Sequence, residues 1–151
     1  MQPAAREPLH PCTESENRTV NTAVLIPCHR RAELLYWCIH HLQQPPDWRD
    51  RLYVFAIDNH VGQSPDADVV ELCTKSGFPR VEVWHRVAHA FPGNSYNVLK
   101  SLRALRFAGL QRVYYVEEDV WVAPDFFRWH EAMWERNPHW FATVAEIGRA
   151  H

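Results

Sequence analysis

Short apolar runs alternate along this chain with segments whose apolar residues recur at helical spacing. Thr22–Pro27, "TAVLIP", is continuously apolar and predicts a buried strand. From Arg31 to Gln44 the apolar residues Leu34, Leu35, Cys38, Ile39 and Leu42 recur at helical spacing, and Pro45-Pro46 stops the helix. Leu52–Ile57, "LYVFAI", predicts a second strand running into Asp58-Asn59, and Asp66–Lys75 a short helix with Gly77 beyond its end. Val81–Trp84 predicts a third strand, followed by His85-Arg86. Gly93-Asn94-Ser95 opens a long amphipathic helix carrying Val98, Leu99, Leu102 and Leu105, closed by Gly109. Arg112–Val116 predicts a fourth strand. Pro124-Asp125 starts a helix whose apolar face is Phe126, Phe127, His130, Met133 and Trp134, and Trp140–Ala145 predicts a last strand.

Strand and helix thus alternate four times, which predicts an α/β fold: a mostly parallel sheet with flanking helices. In such sheets ligands bind at the carboxyl ends of the strands. Polar residues gather at those predicted ends: Cys28-His29-Arg30, Asp58-Asn59, His85-Arg86 and Glu117-Glu118-Asp119. The pattern therefore predicts one polar rim assembled from four strand ends.

Composition narrows the function classes. A chain of 151 residues is one domain by size, and 46% apolar with 23% charged residues is ordinary for a globular protein. A net charge of -2 gives no electrostatic footprint for nucleic acid or an anionic membrane, so no nucleic-acid partner is expected. Cys12, Cys28, Cys38 and Cys73 show no paired C-x-x-C spacing, and Cys38 and Cys73 sit in apolar surroundings. They read as reduced core thiols, with a cytoplasmic location as the default. The ten histidines have no zinc-site spacing. Residues 1–20 are polar and proline-containing, without an apolar signal segment or membrane span, and read as a flexible leader before a domain over 21–151. Asn17-Arg18-Thr19 fits a glycosylation sequon, which matters only in a secretory pathway.

The segment "VYYVEEDVWVAPDFF" carries the chemistry. An apolar run ends in three consecutive carboxylates, which need either solvent or a cation. If strand alternation continues, Glu117 and Asp119 share one face and Glu118 takes the other. Two carboxylates on one face suit a hard divalent cation, Mg²⁺ or Mn²⁺, completed by water and ligand phosphates. A solvated acidic turn is the other reading, and the tripeptide alone leaves both open.

"VEEDVWVAPDFF" resembles the acid-x-acid segment of nucleotide-sugar glycosyltransferases with the GT-A fold. It is nearest to the N-acetylglucosaminyltransferases that start complex N-glycans, in which a Glu-Asp-Asp triplet precedes a hydrophobic residue, an acid and Val-Ala-Pro-Asp-Phe-Phe. "VLIPCHRR" is similar to the family's first strand and its Arg-bearing turn, and "FAIDN" to its second strand. The likeness spans roughly Thr22 to Gly148.

The resemblance implies the Rossmann-like, nucleotide-binding half of a GT-A fold. It implies a nucleotide-sugar donor, UDP-linked, a glycan or other hydroxyl acceptor, and Mn²⁺ or Mg²⁺ as cofactor. Asp119, assisted by Glu117, would hold the cation. Cys28, Arg30, Asp58, Asn94, Glu117 and Glu118 would line the nucleotide sugar, with Asp58 reading the uracil N–H and Asn94 standing where the family has a histidine. Glu146, ending the last predicted strand, is the remaining candidate near the sugar for a catalytic role. Family members continue beyond the strand that matches "WFATVAEIG", so the acceptor-binding half is expected to be missing. The alternatives are a module that holds the nucleotide sugar without turnover, and a sugar nucleotidyltransferase. The second is disfavoured because "IPCHRRAELL" has no glycine for a phosphate loop.

Overall fold

Strand β1 (Thr22–Cys28) buries six consecutive side chains, Ala23 to Cys28. A strand can do this only where both sheet faces are covered, and a continuous apolar run is its sequence signature. The computed structural model describes residues 21–60, 62–88, 94–139 and 142. Within them β1 lies at the interior of an all-parallel sheet in the order β3-β2-β1-β4, with β2 at Leu52–His60, β3 at Val81–Ala88 and β4 at Arg112–Tyr115. The fold is α/β with a parallel sheet, as the alternation predicts, and Rossmann-like, as the resemblance implies.

Side-chain alternation divides the core in two. Val24, Ile26, Tyr53, Phe55 and Ile57 face one layer, where they meet Leu35, Cys38 and Leu42 of α1 (Ala32–Leu42), Val69 and Cys73 of α2 (Ala67–Thr74), and Phe127 of α4 (Phe126–Arg136). Ala23, Leu25, Val54 and Ala56 face the other layer, against Leu105 and Leu102 of α3 (Asn94–Phe107). The reason is topological. The chain steps outward from β1 to β3, then returns across the sheet to β4, and a right-handed return places α3 on the opposite face from α1 and α2. Each fully buried aliphatic or aromatic side chain contributes about 1.5–3 kcal/mol.

Local signals fix most helix ends. The Asp66 carboxylate accepts from the Val69 N–H at 3.1 Å and caps α2. Gly109, at φ +83°, closes α3, where the Leu110 N–H donates to the Leu105 carbonyl. Helix α3 differs from its predicted face: Leu99 is exposed, and Asn97 and Ser101 are buried instead. The Asn97 amide donates to the Ala56 carbonyl at 2.7 Å, which makes a polar residue useful on an inner face.

Two strands overrun their predicted ends. β2 and β3 continue to His60 and Ala88, so Asp58 is paired beside Arg86 inside a two-stranded extension rather than standing at a strand end. β4 instead stops early. The Val116 N–H donates to the Leu25 carbonyl at 3.0 Å, and the next rung of that ladder would require an N–H from Pro27, which proline lacks. The chain leaves the sheet there, immediately before the acids.

At the amino end of β2, Arg51 is buried between α4 and the turn before the strand. Its guanidinium bonds to Asp47 at 2.7 Å and Glu131 at 2.6 Å, and lies 3.9 Å from the centre of the Phe127 ring. Tyr114 also donates to Glu131, at 3.0 Å. No helix among the described residues is long and apolar enough to cross a membrane. The predicted leader 1–20 and the last predicted strand, Trp140–Ala145, lie outside the described residues, apart from Ala142.

Candidate functional site

The strand order reverses between β1 and β4, so the loops leaving these two strands face each other across the sheet's carboxyl rim. One loop is His29-Arg30-Arg31 and the other is Glu117-Glu118-Asp119. The Val120 N–H donates to the Glu117 carbonyl at 3.0 Å, closing a turn with Glu118 and Asp119 at its centre. Strand alternation therefore ends before the acids, and the expected pairing of Glu117 with Asp119 is not what forms.

Glu118 and Asp119 converge instead on Arg31. Arg31 Nε donates to Glu118 Oε1 at 2.8 Å, and Nη1 donates to Asp119 Oδ2 at 2.9 Å. Glu118 is not turned away from the site; its side chain is only 3% exposed, against 50% for Arg31 and 22% for Asp119. The His29 backbone N–H donates to the other Glu118 oxygen at 3.0 Å, so both oxygens of the buried carboxylate are satisfied. Asp119 Oδ1 is buried and has no hydrogen-bond partner. Glu117 is separate: its Oε1 accepts from the Tyr115 hydroxyl at 2.7 Å, and its carbonyl receives the Cys38 thiol.

The other predicted residues are distributed around this pair. The Cys28 thiol points into the core and donates to the Ile26 carbonyl, with its pKa pushed well above the usual thiol value, chiefly by burial. Only its backbone is left for the rim. Cys38 and Cys73 are buried free thiols, as their apolar contexts predict. Arg30 is exposed on the β1 turn. Asp58 is half-buried, and by alternation with Val54 and Ala56 its carboxylate lies on the α3 side of the sheet, away from the Arg31 cluster. His29 joins the two regions. Its ring Nδ1 bonds to the Asp58 carbonyl at 2.9 Å, and because a carbonyl only accepts, Nδ1 carries the proton. Glu146 lies outside the described residues, as does the Asn94 side chain.

Sequence reasoning passed over Arg31 and the His29 backbone. The signal was present: three adjacent acids need a cation, and "HRR" supplies two at the neighbouring strand end. Which arginine turns inward depends on the register of the β1 turn.

Among the described residues no three metal-ligating side chains gather. A site for Mg²⁺ or Mn²⁺ that relies on phosphate and water needs only one or two carboxylates. The unpartnered Asp119 Oδ1 fits that donor set. No model of a known protein family matches the chain, and no curated protein matches it.

Proposed function

We propose that this chain is the donor-binding part of a metal-dependent glycosyltransferase that uses a nucleotide-diphosphate sugar, UDP-linked. The observation that carries the reading is the acidic turn Glu117–Asp119 at the point where the strand order reverses, one oxygen of Asp119 being unengaged. An anionic ligand here would face the carboxylates of the acidic turn, so it requires positive charge. Arg31 supplies some, and Arg30 is exposed beside it.

In this reading Asp119 would hold a divalent cation, whose charge would offset that of the nucleoside diphosphate leaving group. Glu118 holds Arg31, and Arg31 presents its solvent-facing side to the diphosphate as a charge-assisted donor. His29 keeps the β1 turn against both Glu118 and Asp58, fixing the rim before ligand arrives. Asp58 accepts from the uracil N–H. The acceptor hydroxyl forms the new bond to the sugar's anomeric carbon as the bond to diphosphate breaks, and its proton passes to a general base. Glu146 is the candidate for that base.

One observation favours a second reading. Arg31 already occupies the near oxygens of Glu118 and Asp119, as an internal cation would, so the chain could hold a nucleotide without metal or turnover. Thermal-shift titration with UDP, UDP-sugars and inorganic diphosphate, each with and without Mn²⁺, separates the two. The first reading expects stabilisation by UDP that needs Mn²⁺, with Asp58→Ala weakening UDP more than diphosphate. Metal-independent stabilisation would favour the holding module, and no response to any nucleotide would reject both.

A further inference from the structure

Large aromatic side chains belong in a core, yet a group of them stands on the outer surface of α1 and of the loop that follows the acidic turn. Tyr36 is 52% exposed, Trp37 42% and Trp121 37%. The rings of His41 and Trp121 stack nearly parallel with centroids 5.3 Å apart, and Trp37 meets Trp121 at 6.4 Å. Tyr36 and His40 each pack edge-on against Trp37. Helical spacing explains the exposure on α1. Leu35, Cys38, Ile39 and Leu42 fill its inner face, which turns Tyr36, Trp37 and His40 outward. On the loop, Val122 is buried in the core and Trp121 beside it stays outside. A contiguous exposed patch of this kind marks an interaction site.

The chemistry of the rings indicates the kind of ligand. The cluster contains no carboxylate, lysine, arginine or aliphatic side chain. Its polar edges are the indole N–H groups of Trp37 and Trp121, the Tyr36 hydroxyl and the imidazoles of His40 and His41. Among the described residues, these edges make no hydrogen bond within the protein. Aromatic faces are electron-rich and attract weakly positive C–H groups. A neutral sugar presents C–H groups on its ring faces and hydroxyls around its rim, which matches faces and edges together. An anion finds no cation in the cluster, and an aliphatic surface would leave the polar edges unanswered.

Position supplies a separate observation. Trp121 follows Asp119 by two residues, and Cys38, next to Trp37, donates its thiol to the Glu117 carbonyl at 3.6 Å. Both sides of the patch are thereby tied to the acidic turn. We propose that the rings of Trp37 and Trp121 form the acceptor subsite, a platform on which a neutral glycan stacks beside the rim. The acceptor role rests on the donor-binding reading of the rim, whereas the affinity for sugar does not.

The test is isothermal titration of the full chain with chitotriose and with cellotriose, neutral β-linked oligosaccharides with flat C–H faces. Saturable binding is expected, weakened about tenfold in Trp37→Ala and in Trp121→Ala and largely kept in Trp37→Phe. Trp129→Ala should bind as the parent does, since that ring is equally exposed but lies on α4. Thermal unfolding verifies that each variant folds. Absence of saturable binding, or equal binding in both alanine variants, would overturn the proposal. Self-association of the chain that Trp37→Ala abolishes, read by sedimentation, would assign the patch to a second copy and overturn it too. Titration of the parent with UDP and Mn²⁺ separates the two readings. UDP binding without oligosaccharide binding refutes the platform alone, and oligosaccharide binding without UDP binding refutes the donor reading and the acceptor role with it.

Discussion

Two arginines in this molecule each hold two carboxylates, and they are built in opposite ways. At the amino end of β2 the cation is inside: the Arg51 side chain is 4% exposed while Asp47 and Glu131 are each 35% exposed. At the carboxyl rim the anion is inside: Glu118 is 3% exposed and Arg31 is 50% exposed. Arg51 also packs on the Phe127 ring, so packing as well as charge holds it. Arg31 has water on one side. A cation in water can be exchanged for another cation at modest cost, whereas one wedged among rings and carboxylates cannot. The difference separates a structural clamp, which joins α4 to the sheet, from a rim whose cation, Arg31, stays open to solvent.

The largest expected effect tests the clamp. Arg51→Ala should destabilise the fold by about 3–4 kcal/mol, because it removes ring packing and both ion pairs together. Chemical denaturation measures this. A loss near that expected at Arg31 would erase the distinction between the two arginines.

Next comes the rim's own chemistry. Asp119→Asn should weaken Mn²⁺-dependent UDP binding about a hundredfold, roughly 2.7 kcal/mol, while leaving unfolding nearly unchanged. Isothermal titration with and without Mn²⁺ reads the first quantity. Undiminished affinity would mean that Asp119 serves only Arg31.

Arg31→Ala should cost about 1–2 kcal/mol of stability, since water can reach the uncovered Glu118 where nothing comparable could fill the place of Arg51. The same variant should bind Mn²⁺ alone more tightly, the internal counter-ion being gone. Weaker Mn²⁺ binding would instead show Arg31 positioning Asp119 for the metal.

The smallest effect belongs to His130, beside the clamp on α4. Burial lowers its pKa from the usual histidine value. The unfolded chain then takes up the proton more readily, so the contribution is complete above about pH 6.5 and is lost as pH falls below it. Unfolding free energy measured from about pH 7.5 down to 5.5 should decline less steeply in His130→Gln. An unchanged slope would assign the acid sensitivity to other groups.

Much of this was legible in the chain itself. Continuous apolar runs marked β1 and β2 as strands covered on both faces, and the capping acid Asp66 and the terminal Gly109 marked helix ends, because these signals act over a few residues. The acidic turn was legible as a place that needs a cation. Its internal geometry was not, although Pro27 carried the clue, since the missing N–H acts through a strand 89 residues away from Val116. Helix α3 was misread at Leu99 for a similar reason: Asn97 is buried only because the Ala56 carbonyl waits across the interface.

Sequence by itself determined the alternation of strand and helix, and hence the parallel sheet, since periodicity is set residue by residue through burial. Only the tertiary structure decided that Arg31 rather than Arg30 meets the acids, that Glu118 rather than Glu117 partners Asp119, and that the Cys28 thiol leaves the rim for the core. Those outcomes rest on register between segments distant in sequence, where a shift of one residue exchanges the inner side chain for the outer one.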